Sequence, residues 1–164
     1  MPTPDWEERF RRWLKLIGEM HDNANFTPNA KLSWAPMHKP LAECTVALVT
    51  TSGVHLKSQP AHDLLNPHGD ASFREIPWDT QVSDIAVDHS HYDTADANVD
   101  PNCVFPIARL RELVNMGVVG AVAVMNFGFM GFIPDGCLLR DTTAPIVSEW
   151  LLSQGTDAVV LTPG

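Results

Sequence analysis

Short apolar runs that break abruptly into small polar residues recur along this chain. From Cys44, "CTVALVTTSGVH" carries an apolar stretch into Thr50, Thr51, Ser52 and Gly53, the pattern of a buried strand entering a loop. "DIAVDHSHYD" repeats it, with Ile85, Ala86 and Val87 ahead of a polar cluster. "VVGAVAVMNFGFMG" is the third such transition and "DAVVLTPG" the fourth. Between them the spacing becomes helical. Trp6, Phe10, Trp13, Leu14 and Ile17 predict an amphipathic helix over 5–20 with Asp5 as its N-cap. Pro106 and Gly117 bound a helix over 106–116, and Gly155 ends one over 142–153. The Pro-, His- and Asp-rich connection 56–83 has room for a short edge strand at 73–77.

Strands alternating with helices imply β-α-β crossovers and a sheet covered on both faces. The expected fold is α/β: a doubly wound, mainly parallel sheet of about four strands, Rossmann- or flavodoxin-like. The expected organisation is a helix and irregular arm over 1–43, with Trp34 as an anchor, and an α/β domain over 44–164. In open parallel sheets ligands bind beyond the carboxyl ends of the strands. The loops "TTSGVH", "DHSHYD", "MNFGFMG" and "TPG" are therefore expected to form one site.

Composition narrows the function. A chain of 164 residues suits one domain, and its net charge of −9 argues against nucleic-acid binding, which needs clustered Lys and Arg. No run approaches the roughly 18 apolar residues of a membrane span, and the acidic, aromatic start "MPTPDWEERF" lacks the form of a secretory signal. A cytoplasmic protein is expected. Three cysteines, Cys44, Cys103 and Cys137, make neither a CxxC nor an even set, so no disulfide framework is indicated.

The densest polar stretch is "DHSHYDTADANVDPNC". His89, His91 and Asp93 fit H-x-H-x-D, a metal-binding pattern of hydrolases, which makes a metal-dependent hydrolase one alternative. Thr94 stands where that pattern continues with histidine, and all seven histidines precede residue 92, so no metal is expected. An EF-hand fails because Pro101 replaces its glycine and Ile107 its glutamate. Without a metal, His89, His91 and Tyr92 remain proton donors and acceptors, with Asp93 beside them. Thr50, Thr51, Ser52, Gly53 and His55 form a turn suited to a carboxylate, and Asn126, Phe127 and Gly128 a contact loop. Cys103, just before a proline-led helix, is the candidate reactive thiol.

Together, "TTSGVHLKSQPAHD", "DHSHYDTADANVDPNCVFPIARLREL", "NFGFMGFIPD" and "DAVVLTPG" resemble the selenoprotein B family of glycine, sarcosine, betaine and D-proline reductases. The resemblance implies reductive cleavage of a carbon–nitrogen bond in a small amino acid or amine, with a thiol/disulfide electron donor. It implies a selenocysteine or cysteine nucleophile and a pyruvoyl group carried by a partner subunit, with no cofactor in this chain itself. In similar proteins the selenocysteine directly follows the stretch matching "DAVVLTPG". The expectation is therefore a chain stopped at a selenocysteine codon, lacking its nucleophile and inactive alone. A non-catalytic binding module of the same fold is the other alternative.

Overall fold

The computed structural model describes residues 35–163. The expected helix over 5–20, Trp34 and the position after Gly164 lie outside the described residues. The protein is an α/β fold around a mainly parallel sheet. Its centre is β1 (Thr45–Thr50), an apolar run buried on both faces. On one side β1 pairs in parallel with β5 (Ala121–Val122) and β6 (Met125–Phe129), and on the other with β7 (Ala158–Thr162). Beyond β6 lies β3 (Phe73–Pro77), antiparallel to it, at the position expected for an edge strand.

The alternation along β1 divides the core. Val46 and Leu48 face a cluster with Phe105, Ile107 and Leu110, the last two on α2 (Ile107–Asn115). Ala47 and Val49 face Phe127, Phe129, Val147 and Leu151, the last two on α3 (Ala144–Ser153). Both faces are thus covered by helices. No helix among the described residues is long and apolar enough to cross a membrane.

Two expectations change. The run Ile85–Val87 is a strand, β4, but it pairs antiparallel with β2 (Val54–Leu56) in a separate two-stranded sheet. A three-residue apolar run carries no signal of its partner's direction. The expected contact loop 125–131 is strand as far as Phe129, because Gly128 is a packing position: a Cβ there would lie 2.1 Å from the Val54 carbonyl oxygen.

The ladder between β1 and the 121–129 segment is interrupted. From Val46↔Val122 to Val49↔Phe127, β1 advances three residues and its partner five. Asn126, wholly buried, repairs the gap. Its Oδ1 accepts the Leu48 N–H at 2.8 Å, and its amide donates to the carbonyls of Ala123 at 3.2 Å and Ile76 at 3.4 Å.

Candidate active site

Where β1 and β7 end, four loops meet. Thr162, the last residue of β7, donates its hydroxyl to the Val104 carbonyl oxygen at 2.7 Å. Thr50, the last residue of β1, reaches that same oxygen at 3.1 Å and the Ser52 hydroxyl at 2.5 Å. The Thr51 N–H donates to the Thr162 carbonyl at 3.0 Å. The Tyr92 hydroxyl donates to the Ser52 carbonyl at 2.8 Å, bringing in the loop after β4. The loop after β6 closes the group: the open face of Gly131 lies against the Thr51 carbonyl and His89 Nε2.

Glycine is required at the root of this edge. Gly53 has φ +76°, and a Cβ there would collide with the Asp88 carbonyl oxygen, so the chain entering β2 passes the end of β4 with no room for a side chain. Their N–H groups tie the junction, Gly53 to the Phe129 carbonyl at 2.8 Å and Asp88 to the Gly53 carbonyl at 3.1 Å.

Within the loop 88–92 the histidines differ. His89 Nδ1 accepts the His91 N–H at 3.0 Å, so a neutral His89 carries its proton on Nε2. Burial, then the neighbouring His91, hold its pKa below the ordinary histidine value. That Nε2–H is buried with no partner among the described residues. His91 is exposed, with Nδ1 2.7 Å from the Ser90 hydroxyl and its ring stacked on Phe132 at 3.6 Å between centroids. Tyr92 packs on His89 at 4.7 Å between ring centroids, and burial raises the pKa of its phenol.

The other expected residues have different positions. Asp93 Oδ1 accepts the Ala95 N–H at 3.0 Å, at the start of α1 (Ala95–Val99). Among the described residues no three of His, Cys, Asp or Glu converge as metal ligands. His55 is buried behind the edge with both ring nitrogens engaged, by the Leu56 carbonyl and by Asp88. Asn126, Phe127 and Gly128 lie inside β6, with Phe127 fully buried against Phe73 and Trp150. Met130, Gly131 and Phe132, four residues further on, are the ones that reach the edge, against Ser52, Thr51 and His91. The signal for them was the second glycine of "GFMG".

Cys103 is exposed in the turn Pro101–Cys103, one residue before the carbonyl that holds Thr162. Asn102, not Cys103, binds the start of α2, accepting the Ala108 N–H at 3.0 Å. Cys44 is buried packing, and Cys137 is exposed beside Asp135, whose carboxylate raises the thiol's pKa.

The family model for glycine/sarcosine/betaine reductase selenoprotein B matches residues 15–164. The chain belongs to this family. It is 44% identical over 131 residues to the D-proline reductase subunit gamma of Acetoanaerobium sticklandii, covering 80% of this chain and 53% of that protein. It is 28% identical over 134 residues to the glycine reductase complex component B subunit gamma of Carboxydothermus hydrogenoformans, covering 77% of this chain and 29% of that protein. The chain thus spans about half the length of the D-proline reductase relative and under a third of the glycine reductase one. No solved structure matches.

Proposed function

We propose that this selenoprotein B chain forms the scaffold of a reductase active site that cleaves a carbon–nitrogen bond of a small amino acid or amine. In the overall change two electrons from a dithiol break that bond. The carbon gains hydrogen, the nitrogen leaves protonated, and the dithiol becomes a disulfide. A selenocysteine or cysteine just beyond Gly164 would supply the nucleophile, and a pyruvoyl group on a partner subunit would hold the substrate amine.

The observation that carries this reading is the shared acceptor at Val104. By binding the hydroxyls of Thr162 and Thr50, it ties the ends of β7 and β1 to the turn that bears Cys103, and the Tyr92 hydroxyl, donating to the Ser52 carbonyl two residues past Thr50, brings the loop that bears His91 and Tyr92 to the same edge. A group following Thr162-Pro163-Gly164 is then delivered among them. Four tasks remain for this chain's own residues. His91, exposed and oriented by Ser90 and Phe132, donates the proton taken by the leaving nitrogen. His89 offers its unpaired Nε2–H to a substrate oxygen. Tyr92 holds the Ser52 turn in place. Cys103 supplies the thiol that attacks the selenium or sulfur of the nucleophile once it is bonded to the substrate carbon: that bond to carbon breaks, the carbon takes up a proton as product, and the bond formed between Cys103 and the nucleophile is reduced by the dithiol, which leaves as the disulfide.

Mass spectrometry of the full-length protein, oxidised and digested without reductant, tests this assignment. The expected product is a peptide pair joining Cys103 to the residue following Gly164. A cross-link of that residue to Cys44 or Cys137 instead, with Cys103 free, would overturn the role of Cys103.

A further inference from the structure

Behind the edge, two histidines face each other inside the protein. His55 lies on β2 and is 5% exposed; the His62 side chain is wholly buried, and the rings meet edge to face at 6.4 Å between centroids. His55 Nδ1 is 2.9 Å from the Leu56 carbonyl oxygen, which only accepts, so Nδ1 carries a proton. A neutral imidazole has one N–H, and this contact uses it. Yet Nε2 is 2.8 Å from Asp88 Oδ2, a second group that accepts when ionised. The two contacts together require one further proton on the His55–Asp88 pair.

Chemistry and surroundings place that proton on the ring. Imidazole is the stronger base of the two by more than two units in reference compounds. The Asp88 side chain is 44% exposed, so water also solvates its carboxylate. His62 adds no opposing charge. Burial, then Arg74, push its pKa down to about 4, and neither of its ring nitrogens has a hydrogen-bond partner among the described residues. Asp70, 3.6 Å from His62 Nδ1, is engaged by the Ser72 and Asp63 N–H groups and lies 3.7 Å from Arg74.

We propose that His55 is held as an imidazolium that clamps Asp88, and so acts as the positioning residue for the loop bearing His89, His91 and Tyr92. Its relevance to turnover rests on the reading of that loop as substrate-facing; its protonation does not. Asp88 immediately precedes His89 and is tied to Gly53, so a fixed carboxylate fixes the direction in which the loop leaves β4.

Nitrogen-15 NMR of the full chain with labelled histidine, at neutral pH, tests the proposal. The His55 signals are assigned as those lost in His55→Gln. In the wild type both ring nitrogens of His55 are expected to be protonated. In Asp88→Asn only Nδ1 is, since the asparagine amide donates to Nε2. A wild-type His55 with a single protonated nitrogen overturns the proposal; should His55→Gln not fold, the same signals are assigned through bonds from the His55 backbone in the wild type. The positioning role is read from the His91 amide, which bonds to His89: its hydrogen exchange should quicken by about tenfold in Asp88→Asn. An unchanged rate overturns that role. Neither readout uses turnover, so a failed reductase assay would leave both standing and count against the substrate reading alone.

Discussion

Thr162 donates its hydroxyl to the carbonyl oxygen of Val104 at 2.7 Å, joining the last residue of β7 to the turn that carries Cys103. Thr50 converges on the same oxygen from β1 at 3.1 Å. One backbone acceptor therefore sets the mutual position of two strand ends and an exposed thiol.

Removing either hydroxyl without changing shape measures that link. Thr162→Val is expected to lower stability by about 1 kcal/mol, the net worth of one hydrogen bond. Thr50→Val should cost about 2 kcal/mol, because Thr50 is fully buried and its loss strands the Ser52 hydroxyl as well. Urea unfolding midpoints at constant slope report both. Equal losses would mean that the Thr50–Ser52 contact adds nothing to the junction, and no loss in Thr50→Val that Thr162 alone carries it.

Asn126 supports the site from within the sheet. Asn126→Ala leaves the buried Leu48 N–H without its acceptor and opens a gap beside β1. The expected loss is about 3 kcal/mol, again by urea unfolding. A loss under about 1 kcal/mol would show that the strand interruption closes on itself.

His62 makes the fold sensitive to acid. Its folded pKa, about 4, lies below the roughly 6.5 of an unfolded histidine, so the unfolded chain binds the proton first. The stabilisation is complete above pH 6.5, is lost as pH falls from there toward 4, and changes no further below. The span corresponds to at most about 3 kcal/mol. The pKa of Asp70 is lowered by the hydrogen bonds it accepts, so its own acid titration falls below this window. Unfolding free energy measured from pH 7.5 to 4 should show the slope in the wild type and lose most of it in His62→Phe.

Much of this organisation is legible in the chain. The apolar runs that become β1 and β7, the edge strand Phe73–Pro77 and the helices Ile107–Asn115 and Ala144–Ser153 declare themselves by period and by Pro and Gly punctuation. The meeting of the loops after β1, β6 and β7 follows from parallel strands sharing one carboxyl edge, whereas the loop after β4 joins them from a separate antiparallel pair. Other features depend on partners distant in sequence. The direction of Ile85–Val87 is set by its pairing with Val54–Leu56, and nothing in three apolar residues reveals that. Asn126 reads as a loop residue because a polar position shortly before a glycine usually is; its function as a ladder substitute exists only once β1 and β6 slip out of register. His62 sits in a polar connection, and its burial is a tertiary fact.

His91 is the exposed histidine of the edge, and its loss should fall on chemistry more than on binding. In the full-length protein assembled with its reductase partners, His91→Ala is expected to lower kcat by about 100-fold or more with KM little changed. Stability should change by less than about 0.5 kcal/mol, as for other exposed positions. A raised KM at unchanged kcat would make His91 a binding group.

Reductive carbon–nitrogen cleavage at this edge is the proposed reaction. Its most direct test is a dithiol-dependent assay of the full-length protein with its partner subunit on D-proline, glycine and related small amines, following substrate loss and disulfide formation together. One of these substrates is expected to be consumed with one disulfide formed per bond cleaved, and Cys103→Ser to fail to complete repeated turnovers. No dithiol oxidation coupled to any of them by the assembled protein, or undiminished repeated turnover in Cys103→Ser, would contradict it.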